Sequence, residues 1–366
     1  MSQDYQLIDG INVTSSEVKC PGCGTAIGVK FDPATGTLVC PFCGLNSKLP
    51  TPQNAAVTAE FDFNSALQRA NVNWGRIKKL VECSNCGGQS LYDAEQITGA
   101  CPFCGSTSVA PAAENNQIMA PNAVIPFAVT KEMAEQIFMD YIKKCWAVPK
   151  KVYNCKLENL TGVYLPFWTF DALTASRYCA FFRKDRDAQL EMLERDWFEY
   201  VDDIVVCASA KVKNPYIPKL QNYDITKAVP YSPEYLAGIP AERYTLGLNE
   251  CWERSKKQIE RILRKDVHRA DRRQDVDWIR TNYYNVKFRC LLAPMYFGSF
   301  KYRKNTYHVA INGQTGKTLF TVPRYFAQMI MVASIASILT LVAYFTLMYF
   351  FPDSPLFWIY RFFYGR

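Results

Sequence analysis

The chain has little of what enzymes usually work with. It carries 2 histidines in 366 residues, His268 and His308, and no serine or cysteine motif accompanies either. Gly313-Gln314-Thr315-Gly316-Lys317-Thr318 resembles the end of a phosphate-binding loop, but Ile311 stands where the motif needs its first glycine. Asn312-Gly313 is instead a hairpin signal between two strands, with no helix to follow. The chain therefore reads as non-enzymatic. Residues 1–20 also lack the basic start and apolar stretch of a signal peptide.

Charge is missing from one long stretch. Tyr325 to Phe351 reads YFAQMIMVASIASILTLVAYFTLMYFF, with no charged residue and Gln328 as its one amide. As a helix it would run roughly 40 Å, enough for a hydrocarbon core of about 30 Å. Nothing else in the chain is of this kind, so a single transmembrane helix over 325–351 is expected; its alternative, a buried hairpin, would be unusually long and uncharged. Pro352-Asp353-Ser354-Pro355 breaks the helix. The aromatic end, 352–366, is too short to span and suits the far interface. Lys301, Arg303, Lys304, Lys317 and Arg324 precede the span, against Arg361 and Arg366 beyond it. By the positive-inside rule the N-terminal body lies on the cytoplasmic side of the cell membrane. Within the span Ala333/Ser337 and Ala336/Thr340 are small-xxx-small pairs that would permit a homo-oligomer.

Cysteine is abundant. Of 14, eight form four Cys-x-x-Cys pairs, which points to metal in a reducing compartment and not to disulfides. Cys20-Pro21-Gly22-Cys23-Gly24 is followed after sixteen residues by Cys40-Pro41-Phe42-Cys43-Gly44. Cys83-Ser84-Asn85-Cys86-Gly87 is followed after fourteen by Cys101-Pro102-Phe103-Cys104-Gly105. The unit is thus duplicated. Four thiolates close a tetrahedral site with no open position, so two structural Zn2+ ions are expected in two zinc ribbons, and a rubredoxin-like iron is disfavoured by the short, repeated spacing. Each ribbon is too small for a core of its own, so the ion must supply folding free energy. The other six, Cys145, Cys155, Cys179, Cys207, Cys251 and Cys290, sit among apolar neighbours and read as buried thiols.

The ribbons' partner is open between protein and nucleic acid. Ribbon one offers Lys19, Lys30 and Lys48, and ribbon two has no Lys or Arg between Cys83 and Cys104. Nucleic-acid readers cluster cations with stacking aromatics, so protein docking is favoured. The net charge of +8, from 42 basic and 34 acidic residues, decides nothing between anionic lipid and nucleic acid.

The organisation read from the sequence is a zinc ribbon at 1–48, then a linker at 49–80 with a short helix at 65–72. A second ribbon follows at 81–110, and an α+β, β-rich body at 111–324. In the body Thr130 caps a helix to Trp146, with Met133, Ile137, Tyr141 and Ile142 on one face. Strands are expected at 162–170, 176–182, 201–213, 283–292, 295–302, 306–311 and 317–322. Residues 187–198 read as a helix or a surface excursion, and 214–238 as irregular. A helix over 250–277 buries Ile259, Ile262, Leu263 and Val267. Its outer cations and acids suit i,i+4 pairing, or else a lipid or nucleic-acid face.

Three further stretches accompany the ribbons: Val124-Ile125-Pro126-Phe127, Gly162 to Trp168, and Tyr307 to Lys317. Together they resemble a group of bacterial membrane proteins labelled TFIIB-type zinc-ribbon proteins, or loosely likened to the primosomal protein N′ helicase. The resemblance covers most of the chain. It implies a tail-anchored protein, and some members are similar to membrane partners of phage-shock-type, ESCRT-III-like envelope-stress proteins. The helicase likeness has no support here, since the phosphate loop is missing. The expectation is a membrane-anchored zinc-ribbon adaptor or scaffold for cytosolic partners; the alternative is a membrane-tethered nucleic-acid-binding protein.

Overall fold

The computed structural model describes residues 18–25, 28–49, 60–63, 78–93, 100–111, 121–145, 148–155, 157–182, 191–209, 216–270, 275–323 and 326–350. The expected helix at 65–72, most of the linker and the aromatic end at 352–366 lie outside them. The fold is α+β, with a sheet-rich core and four α-helices among the described residues.

The N-terminal ribbon is a three-stranded antiparallel sheet of β1 (Lys30–Asp32), β2 (Thr37–Val39) and β3 (Asn46–Lys48). Its first turn is held by Asp32, whose carboxylate accepts from Ala34 N–H and from the Thr35 hydroxyl. After β4 (Phe61–Asp62) comes the second ribbon: β5 (Lys78–Cys83), β6 (Gln89–Asp93) and β7 (Val109–Pro111). It is not a separate module. β6 pairs with β12 (Ala241–Glu242), and β12 pairs in parallel with β9 (Glu158–Phe182), so this ribbon continues the central sheet.

The sheet is built on three long strands, β9, β10 (Glu191–Cys207) and β13 (Asp275–Tyr302), with β9 in the middle. The short pairs β8 (Ala123–Val124) and β11 (Val229–Pro230), and the hairpin of β14 (Asn305–Asn312) and β15 (Thr318–Phe320), extend it. Several strands expected as separate are continuous here. Residues 162–170 and 176–182 form one strand, as do 283–292 and 295–302. The stretch 191–198 is strand and not helix. Pro294 separates the two expected halves of β13, and like Pro166, inside the expected strand 162–170, it sits where a neighbouring strand changes. Pro166 lies between the last β10 pair, Phe167–Cys207, and the β12 pair, Tyr164–Ala241. Pro294 lies between the β8 pairs of Leu291 and Leu292 and the first β14 pair at Met295. At such gaps the missing N–H forfeits little of the ladder.

Even- and odd-numbered residues of β9 face opposite sides, and each side has its own cover. On the even side α1 (Lys131–Lys144) packs one end, through Phe138 against Phe300 and Phe320. Thr130 caps α1 by accepting from Met133 N–H, as expected. The buried face is Ala134, Phe138 and Ile142, whereas Met133 is exposed, because i, i+4, i+8 from Ala134 points at the sheet. The other even end is covered by α3 (Leu248–Ala270), which buries Cys251, Ser255, Ile259, Leu263 and Val267 in one stripe against Trp168, Phe170 and Phe288. α3 ends at Ala270 and not at Asp277, since Val276, Trp278 and Ile279 are claimed by β13 and its pairing with β9. On the odd side α2 (Ile217–Leu220) and the following Tyr223 and Ile225 cover Val163, Leu165 and Phe167. Beyond Asp171 no described element covers that side.

The chain's described part ends in α4 (Phe326–Phe350), 25 residues and about 37 Å long. Among the described residues no helix is long and apolar enough to cross a membrane; within α4 the contiguous described side chains run only from Ile330 to Thr346.

Candidate metal centres

All four knuckles have one geometry. The N–H of Gly24, Gly44, Gly87 and Gly105 donates to the carbonyl of the first cysteine in its pair, at 2.8, 3.0, 2.8 and 2.9 Å. That cysteine's own N–H donates to the residue after the glycine: Thr25, Leu45, Gly88 or Ser106. Closing this turn needs a left-handed backbone, and Gly24 and Gly105 have φ of 73°. The turn aims both thiols of a pair the same way.

Two quartets result, Cys20, Cys23, Cys40, Cys43 and Cys83, Cys86, Cys101, Cys104, as the spacing predicted. The sulfurs of Cys20 and Cys43 are 3.4 Å apart and those of Cys23 and Cys40 3.6 Å. Those of Cys83 and Cys104 are 3.7 Å apart, and those of Cys86 and Cys101 3.6 Å. A tetrahedral ion with metal–sulfur bonds of about 2.3 Å requires edges of about 3.8 Å. Each quartet therefore fits one ion with a small expansion, and none of the four positions is left for a substrate. The Cys23 N–H draws the Cys20 thiol down to about 6, while burial pushes Cys86 up to about 11. Asn85 Nδ2 also donates to Cys104 Sγ at 3.6 Å.

The two centres differ in surroundings. Phe103, inside the last knuckle, lies edge-on to Phe297 at 5.7 Å and joins the core under α2. Its counterpart in ribbon one, Phe42, is 68% exposed, beside the exposed Leu45. Ribbon one meets the body from its other side, through the Phe31 ring against Tyr235 at 5.5 Å and Phe31 N–H to Ala237 O at 3.1 Å.

The three stretches that carried the family resemblance meet at one side chain. The Phe127 ring stands against Tyr164 at 5.1 Å and Tyr296 at 4.9 Å, and a Cβ on Gly313 would sit 2.6 Å from it. Gly313 O accepts from Ala128 and Val129 N–H. Gly313 to Lys317 is the hairpin turn expected, with Asn312 Oδ1 accepting from Gln314 and Thr315 N–H. His268 and His308 are both exposed, on α3 and β14, and are not brought together. Of the other six thiols Cys179, Cys251 and Cys290 are buried. Cys145, Cys155 and Cys207 are only partly so, which corrects the expectation of six buried thiols. Three of the outer cations of α3 are tied along the helix: Arg254 to Glu250, Arg264 to Glu260 and Arg269 to Asp266, at 2.9, 3.0 and 3.1 Å.

One cluster went unread in the sequence. Carboxylates of Glu60, Asp171 and Asp202 lie within 4.8 Å of one another. Asp171 fills the bulge that interrupts β10 between Val201 and Ile204, accepting from Asp203 N–H at 2.6 Å. Burial pushes its carboxyl up to about 7. Glu60 is bridged by Arg289 at 3.0 Å and Lys287 at 3.3 Å, which offset part of the cluster's charge at this sheet irregularity. Its signal was a lone acid in the apolar run Phe170-Asp171-Ala172, matched by Asp202-Asp203 in the partner strand.

The chain is 28% identical over 319 residues to an uncharacterised Bacillus subtilis (strain 168) protein, YdjG, covering 83% of this chain and 89% of that protein. No family model matches, and no solved structure matches. The likeness to double zinc-ribbon membrane proteins therefore rests on the motifs themselves.

Proposed function

We propose that this chain is a non-enzymatic adaptor, anchored in the cell membrane by α4, that docks cytosolic partner proteins through its zinc ribbons in envelope stress or membrane remodelling. The observation that carries the reading is α4. Ile330, Met331, Ile335, Ile338, Leu339, Leu341, Val342 and Phe345 are all exposed along it, and burying such surface is worth about 25 cal/mol per Å². Its hydroxyls turn inward: Ser334, Ser337, Thr340 and Thr346 each donate to a carbonyl of the same helix at 2.7–2.9 Å. Hydrocarbon requires that internal satisfaction. Thiolate quartets need a reducing compartment, and the cations before α4 favour the same side, so the body faces the cytoplasm.

The ions are zinc and structural. Phe42 and Leu45 form the docking tip, an exposed apolar pair at the end of ribbon one. Nucleic acid is the lesser reading, since ribbon two has no cation between Cys83 and Cys104 and the α3 cations named above are paired. The test is fractionation. The full chain should stay with membranes through alkaline extraction, and a chain ending at Pro323 should be released; a soluble full chain would overturn the anchor. Protein recovered specifically with the detergent-extracted wild type should be lost with Phe42→Glu. Recovery of salt-sensitive DNA or RNA in its place would favour the second reading.

A further inference from the structure

The odd side of the sheet is covered by Ile217, Leu220, Tyr223 and Ile225 as far as Phe167; beyond Asp171 no described element covers it, and of its β9 residues there only Cys179, between Glu194 and Trp278, is buried. On that uncovered part the register sets side chains in rows across the three long strands. Leu173 stands between Tyr200 and Tyr284, Ala175 between Phe198 and Asn282, Arg177 between Asp196 and Arg280, and Phe181 beside Met192. Leu173, Tyr200, Tyr284, Phe181 and Met192 are exposed, and Phe198 is 73% exposed. Scattered apolar residues are ordinary on a surface, but one contiguous face of this kind marks an interface.

The charges say what covers it. Arg177 is already paired with Glu194 at 2.8 Å. Asp196 and Arg280 flank it on the two outer strands, with no ion pair between either and another described residue, and Arg280 lies extended over the Trp278 ring. Opposite charges placed symmetrically about a central strand are self-complementary under one operation, a two-fold axis running along β9. We infer that this face is covered by a second copy of the chain, sheet against sheet at about 10 Å, with Asp196 of each copy over Arg280 of the other.

The same axis sets Tyr200 over Tyr284, and Leu173, Phe181 and Arg177, the last neutralised by its own Glu194, over their own counterparts. It also sends both C-terminal helices to the same end of the dimer. The face measures roughly 30 by 14 Å, small for a stable complex, so association in the micromolar range is expected. The pairing goes beyond the adaptor reading and does not depend on it.

Sedimentation of the zinc-loaded full chain in detergent, over a concentration series to tens of micromolar, tests it. The wild type should approach twice the chain mass. Asp196→Arg and Arg280→Asp should each weaken association by at least about tenfold, because each makes two like-charge contacts. The double variant, D196R with R280D, should restore it. That rescue separates a broken interface from a misfolded chain, and zinc content and circular dichroism confirm folding. A monomeric wild type would overturn the inference. So would a dimer indifferent to both single reversals, which is the result that association through α4 alone would give. A double variant no better than the singles would overturn it too.

Discussion

Phe42 and Phe103 occupy the same place in the same Cys-Pro-Phe-Cys-Gly knuckle, yet one stands in the open and the other is wedged against Phe297. Around Phe103 the ribbon shares its sheet with the body through β12, and Gly88 leaves room for the ring, since a Cβ there would lie 2.5 Å from it. Around Phe42 the ribbon keeps a private three-stranded sheet and meets the body from behind, through Phe31 against Tyr235 and Lys30 against Gly238. Duplicated chemistry has thus been put to unequal mechanical use. Ribbon two closes an edge of the central sheet, and ribbon one presents a knuckle.

The largest expected effect separates the two centres by their ions. Cys101→Ser should lower the thermal transition of the whole body, because a structural ion binds with apparent free energies on the order of 10 kcal/mol that ribbon two passes to the shared sheet. Cys40→Ser should unfold ribbon one and leave the near-ultraviolet circular dichroism signal of the body, from Trp168 and Trp252, nearly unchanged. Equal losses from both would erase the distinction. Next comes the ring itself. Phe103→Ala should destabilise by about 3 kcal/mol in urea unfolding, and Phe42→Ala by less than about 0.5 kcal/mol. Gly313→Ala, which drives a Cβ into Phe127 and Pro294, should cost about 1–3 kcal/mol without changing the metal content. An unchanged transition would show that the meeting point at Phe127 can relax.

The smallest effect is one of pH. Asp171 is raised from its ordinary value to about 7 by burial. Folding therefore favours its protonated form, and the stability this contributes is full below about pH 4 and lost as pH rises through 7. Asp203 is shifted the same way. Glu60 is lowered and acts in the opposite sense, only below its usual range. Asp171→Asn should flatten the decline between pH 5 and 7, read as the denaturation midpoint against pH. A parallel decline in the variant would move the titration to another group.

Local chemistry was legible and long-range pairing was not. The eight metal-site cysteines, the Thr130 cap and the Asn312-Gly313 turn are each specified within a few residues, and each is found in place. The fusion of ribbon two with the body depends on Ala241 and Glu242, two residues whose strand character exists only between Leu91 and Tyr164. The continuity of β13 was hidden by Pro294, which reads as a breaker and is tolerated because neighbouring strands change beside it. The end of α3 was misplaced for a related reason. Asp275 to Asp277 continue a polar pattern that suits a helix, but their pairing partners on β9 lie about a hundred residues earlier in the chain.

Hydrogen exchange of the full chain during slow chelation tests the unequal use of the two centres most directly. The account predicts that ribbon one releases its ion first while the amides of β9 and β13 stay protected. Their protection should then fall together with release of the second ion. Loss of sheet protection with the first ion, or full protection after both have gone, would contradict it.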